Sequence, residues 1–236
     1  MSVEEYSDAV YSINLDIETE MNGLFSRMQE QLQGGVKEIS LEGLRASERM
    51  TEVFRVSLDK ARKMKPPAEA RELHSEVLDL YTQGMELGQD FTEAYDYLYA
   101  VSGALDEFSS RGLEAYRVGV MDGDQALLVA ALDIDIRSME RYLEDIDLGA
   151  GGAALPVKDF FRGFFAGLKS ILERARSGLV SGDQESRPRL NRELTEYFSG
   201  LLQAESEGLP GFAALAERLI GLRDLYQDIA GRVNDL

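Results

Sequence analysis

The sequence predicts an all-α fold, an elongated helical bundle, and three observations predict it. Apolar residues recur at three- and four-residue spacing over nearly the whole chain, and no stretch alternates at two as a half-buried strand would. One such series never slips: Leu73, Val77, Leu80, Gly84, Leu87, Phe91, Ala94, Leu98, Val101, Leu105, Phe108, Gly112, Ala115 and Gly119 hold a strict 4,3 spacing with no proline among them. A helix of that length would span roughly 70 Å at 1.5 Å per residue. Finally, the chain looks doubled. Shifted by 117 residues, Leu15-Asp16-Ile17 falls on Leu132-Asp133-Ile134, Gly34-Gly35 on Gly151-Gly152 and Leu73 on Leu190, as expected of a repeated three-helix unit.

The elements follow in order. The first helix, about 3–33, carries Tyr6, Val10, Ile13, Ile17, Met21, Leu24, Met28 and Leu32 on one face and stops at Gly34-Gly35. The second, about 40–64, opens with Ser40 as N-cap, buries Met50, Val53, Phe54, Ser57 and Ala61, and ends before Pro66-Pro67. The long helix, about 68–121, gives out near Asp122-Gly123-Asp124. A fourth, about 124–148, runs through Leu128, Leu132, Ile136, Met139, Leu143 and Ile146 and is closed by Gly149 to Gly152. Pro156 opens a fifth, about 156–180. The sixth, about 187–207, carries Leu190, Leu194, Tyr197 and Leu201. The seventh, about 211–235, carries Phe212, Leu215, Leu219, Leu222, Tyr226, Ile229, Val233 and Leu236. These divide into a helical unit at 1–121 and a second at 122–236, whose last long helix is broken, or form one continuous domain.

Composition excludes several classes of function. The 43 acidic and 25 basic residues give a formal charge of −18, which repels nucleic-acid backbones and anionic membranes. Without cysteine there are no disulfides, thiolate metal sites or cysteine nucleophiles. No apolar run reaches the ~20 residues that span a bilayer, and Met1-Ser2-Val3-Glu4-Glu5 lacks the basic and apolar parts of a signal peptide. The expectation is a cytoplasmic protein with no membrane insertion.

Two surfaces stand out. Beside the long seam runs an acidic ladder, Glu72, Glu76, Asp79, Gln83, Glu86, Asp90 and Glu93, and no Lys or Arg lies between Arg71 and Arg111. Like charges three and four apart each destabilise a helix by roughly 0.2–0.5 kcal/mol, so the ladder needs compensation. Arg49, Arg55, Lys60, Arg62 and Lys63 of the second helix are the expected internal partners. The alternatives are a docking face for a basic protein, with Glu86, Asp90 and Glu93 as contact residues, or a weak site for a divalent cation among Glu72, Glu76, Asp79, Glu86, Asp90 and Glu93. The other surface is the arc of Phe160, Phe161, Phe164, Phe165, Leu168, Ile171, Leu172 and Ala175 on the fifth helix. An aromatic stripe at helical spacing reads first as core and second as a self-association face, with Phe161 and Phe165 as contacts.

Catalytic constellations are missing. His74 is the single histidine, so paired-histidine metal motifs cannot be written, and it reads as a satisfied helix residue. Asp145-x-Asp147-x-Gly149 begins like a calcium loop, but Ala150, Gly151 and Pro156 do not continue it. Neither a phosphate loop nor a Gly-x-Ser-x-Gly elbow occurs. No cofactor is expected.

In outline, a doubled, acidic three-helix protein of this size resembles the phosphate-uptake regulators of the PhoU type, which implies a carboxylate metal-binding regulator. That family's acidic metal motifs are unmatched, and Glu217-Arg218-Leu219-Ile220-Gly221 is the nearest approach to its Glu-Arg-x-x-Asp pattern. The residues themselves favour a non-enzyme: an interaction or adaptor protein that binds a protein with a basic surface or a second copy of itself. The PhoU-like regulator is the alternative, and an enzyme on a helical fold is the third.

Overall fold

Ser2 and Glu5 begin the first helix with a reciprocal cap. The Glu5 amide donates to Ser2 Oγ at 3.1 Å while Glu5 Oε2 accepts from the Ser2 amide at 2.7 Å, satisfying amides that the helix cannot. In the computed structural model the chain forms α1 (Val3–Gln31), α2 (Val36–Arg62), α3 (Arg71–Arg111), α4 (Glu114–Met121), α5 (Gln125–Ile146), α6 (Leu155–Val180), α7 (Ser186–Glu207) and α8 (Phe212–Asn234). No strand occurs among the described residues, which are 1–31, 36–121, 123–147, 151–207 and 211–236. Gly34-Gly35, Asp122, Gly149 and Gly208-Leu209-Pro210, read above as breaks or parts of motifs, lie outside them. No helix among the described residues is long and apolar enough to cross a membrane.

Two expected boundaries are corrected. Ser40 does not cap α2, which starts earlier, at Val36. Ser40 is buried, and its hydroxyl donates to the Val36 carbonyl at 2.6 Å inside the helix. The long helix is also shorter than its seam. After a 3-10 turn at Ala68–Ala70 it runs from Arg71 and stops at Arg111. Gly112 then takes φ +63, a left-handed conformation that glycine adopts without steric cost, and α4 restarts at Glu114. Ala115 and Gly119, the last members of the seam, therefore belong to another helix. A residue pattern cannot separate a glycine that is tolerated inside a helix from one that ends it.

The chain divides into two compact units, and the division departs from the expected boundary near 122. The first unit holds residues 1–96 and 214–236, and the second holds 97–213. In the first, α1, α2, the beginning of α3 and α8 surround a core of Tyr6, Val10, Ile17, Phe54, Leu58, Val77, Leu80, Leu87 and Leu222. The α2–α3 line is tight. A Cβ built on Gly84 would lie 2.4 Å from the Phe54 ring, and one on Gly88 would lie 2.8 Å from the Thr51 amide nitrogen. Gly84 of the seam and Gly88 beside it are positions where α2 comes close.

The second unit gathers the end of α3 with α4, α5, α6 and α7 around an aromatic centre. The Phe108 ring meets Phe164 and Phe165 edge-on, each at 5.5 Å between centroids, and stacks on Phe198 at 6.2 Å. Tyr142 packs on Phe165 at 5.1 Å. Tyr97 anchors the arrangement by donating to the Ile146 carbonyl at 2.6 Å.

The helix order is compatible with the repeat read from the sequence, while the division into units does not follow it. Burial does not repeat at the shift of 117: Val10, Ile13 and Ile17 are buried while Leu127, Ala130 and Ile134 are exposed, and Leu15 is exposed while Leu132 is buried.

Candidate functional site

α8 packs antiparallel to α3, and this explains how the acidic ladder is tolerated. Arg232 forks onto Glu76, with Nη2 to Oε1 at 2.7 Å, and Arg218 Nη1 reaches Asp90 Oδ2 at 2.5 Å. The two acids stand two heptads apart on α3, and the two arginines stand two heptads apart on α8. Midway between them the ladder holds Gln83 and α8 holds Leu225, so the one uncharged rung is the one without an arginine opposite.

The ladder thus separates into two columns. Glu76, Gln83 and Asp90 face α8, while Glu72, Asp79, Glu86 and Glu93 stand exposed, one heptad apart. Pairing the inner acids removes the repulsion between neighbours three and four apart. The outer carboxylates are then about 10 Å from one another along the helix, close to the screening length at physiological salt. Among the described residues, Glu72, Asp79 and Glu86 make no ion pair. Arg232 holds the Glu76 carboxyl below the usual range through its hydrogen bonds, against a smaller opposing effect of desolvation.

The compensation expected from α2 is not there. Arg49 pairs with Glu20 at 2.8 Å and Lys60 with Asp16 at 2.9 Å, both on α1, while Arg55 pairs with Glu52 and Asp59 of its own helix. Arg49 and Lys60 thus turn to α1, and Arg55 stays on its own helix. No group of three or more His, Asp or Glu among the described residues is placed to hold a metal ion. Of the six weak metal candidates, Glu76 and Asp90 are engaged with arginines.

The phenylalanine face is interior. Phe161, Phe164 and Phe165 are 9%, 8% and 0% exposed, so the two named as partner contacts, Phe161 and Phe165, belong to the core of the second unit. Phe160 is half-buried against Phe161. Tyr197, facing the same helix, stacks on Phe164 and donates to its carbonyl at 2.7 Å.

His74 is buried, with Nδ1 3.3 Å from the Tyr6 hydroxyl, and burial lowers its pKa. The neutral ring is therefore favoured. Nearby, Tyr81 donates to Asn14 Oδ1 at 2.8 Å and Tyr226 donates to the Asn14 carbonyl at 3.2 Å. These buried polar groups answer one another. Burial pushes the Tyr226 phenol up to about 12, with Glu18 and Tyr11 nearby adding to it.

Two features escaped the sequence. A cavity of about 470 Å³ opens in the first unit between α1 and α8, floored by Ile17, Met21, Phe54, Leu80, Leu219 and Leu222 and rimmed by Glu18, Asn22, Arg223, Tyr226 and Gln227. Its apolar walls were legible as helix stripes, but no pattern says where two stripes fail to meet. The other is Asp135 of α5, only 4% exposed, which caps α4 from outside: Oδ1 accepts from the Glu114 amide at 2.9 Å and Oδ2 from the Ala115 amide at 2.6 Å. A carboxylate on the apolar face of a helix was the available signal. Compared with models of protein families, with curated proteins and with solved structures, the chain matches none.

Proposed function

We propose that this chain is a non-catalytic, cytosolic interaction protein whose outer acidic column on α3 docks a protein partner with a basic surface. One observation carries the reading: Glu72, Asp79 and Glu86 keep heptad spacing and exposure while the neighbouring acids are neutralised by α8. A column at that period presents charge in one line, which suits an opposing basic helix better than a scattered surface does. The non-catalytic part rests on the inward-facing, hydrogen-bonded state of His74 and its neighbours. Asp90, engaged by Arg218, is withdrawn from the contact set, and Phe161 and Phe165 are withdrawn by burial.

The test compares two variants of equal charge change. Glu72→Lys/Asp79→Lys/Glu86→Lys reverses the column, and Glu144→Lys/Asp159→Lys/Glu185→Lys reverses three exposed acids of the second unit. Partner capture, read by mass spectrometry, should be lost with the first and kept with the second. Equal loss in both would mean bulk charge alone, and capture retained by the column variant would remove the reading. Sedimentation of the same proteins shows whether the partner is a second copy.

A further inference from the structure

The cavity of the first unit lies apart from the acidic column and carries an inference of its own. α1 and α8 share a floor but do not close over it. Along α8, Leu215, Leu222, Ile229 and Val233 are buried, while Leu219 and Tyr226, on the same heptad seam, remain half-exposed where they line the opening. Protein interiors pack at a density near 0.74 and hold few voids larger than a water molecule. About 470 Å³ between apolar walls is instead within the range of roughly 300–1,000 Å³ typical of small-molecule sites, which often lie between the helices of bundles.

The rim indicates the charge of the occupant. Arg223 is engaged with its neighbour Asp224, Nη2 to Oδ1 at 3.1 Å. Glu18 makes no ion pair among the described residues, which leaves its carboxylate as the uncompensated charge at the mouth. Beside it stands the Tyr226 ring, fixed by its hydroxyl on the Asn14 carbonyl. A carboxylate next to an aromatic face attracts a cation, and the chain's charge of −18 adds a long-range field of the same sense. We propose that this cavity binds a lipophilic monocation of the quaternary ammonium or phosphonium kind, its apolar body on Leu80, Leu219 and Leu222 and its charge between Glu18 and Tyr226.

Tetraphenylphosphonium and tetraphenylborate, alike in shape and opposite in charge, are the probes, titrated calorimetrically into the full chain at physiological ionic strength. The phosphonium should bind saturably and at least tenfold more tightly than the borate. Glu18→Gln should weaken the phosphonium about fivefold or more without weakening the borate, while Glu144→Gln, the same charge change in the second unit, should alter neither. Leu219→Trp, which fills the opening, should abolish phosphonium binding with the thermal melt retained. The proposal is overturned by absent phosphonium binding, by borate binding as tightly, or by equal effects of Glu18→Gln and Glu144→Gln. Full phosphonium affinity in a folded Leu219→Trp variant overturns it equally.

Discussion

Arg232 and Glu76 join the last helix of the chain to the first turns of α3 by a two-pronged ion pair. Both side chains remain substantially exposed, so the pair sets register more than it adds stability. A double-mutant cycle of Glu76→Gln and Arg232→Met should give a small favourable coupling that vanishes near 1 M salt, where screening acts within about 3 Å. Because the Glu76 pKa is lowered in the folded state, its contribution is present above about pH 4.5 and is lost as pH falls through the folded value. Stability differences between the wild type and Glu76→Gln, measured across that range, check the sign.

Asp135 should behave in the opposite sense. Burial raises its pKa, and the two amide hydrogen bonds offset this only in part. Its contribution is therefore complete below about pH 3.8 and declines as pH rises through the folded value. Asp135→Asn should gain on the wild type over that interval. Asp135→Ala leaves the Glu114 and Ala115 amides without their acceptor and should cost about 1–3 kcal/mol in denaturant melts.

Two glycines of α3 should respond with opposite signs. Nothing lies within 4 Å of a Cβ built on Gly103, so Gly103→Ala should stabilise by roughly 0.5–1 kcal/mol. At Gly88 the nearest atoms include the Thr51 backbone, which cannot rotate aside, so Gly88→Ala should destabilise despite its better helix propensity. Thermal melts of the two variants decide it, and stabilisation by both would mean that α2 can retreat.

Phe165→Ala removes a fully buried ring that Phe108, Tyr142 and Phe164 surround and should cost about 3–5 kcal/mol. Phe160→Ala, at a half-buried position, should cost less. Denaturant melts read beside sedimentation check both: a Phe165→Ala protein of wild-type stability but altered association would return this face to the interface reading.

Helix existence and most boundaries were legible in the sequence because a helix is a local object. Its hydrogen bonds close within four residues, its buried face recurs every 3.6, and stops such as Pro66-Pro67 act on their immediate neighbours. The acidic ladder and the phenylalanine arc were visible as faces for the same reason. What each face meets is not local. That Arg218 and Arg232 rather than the α2 cations answer the ladder follows from α8 returning to the first unit from a point more than a hundred residues away in the chain, and no spacing encodes that return. The break at Gly112 likewise depends on Asp135, which supplies the acceptors for α4's first amides from another helix. The sequence by itself determined the helices and their apolar stripes. Only the tertiary structure decided which stripes close on one another, which acids are neutralised, and where a cavity stays open, because those outcomes depend on side chains brought together from distant parts of the chain.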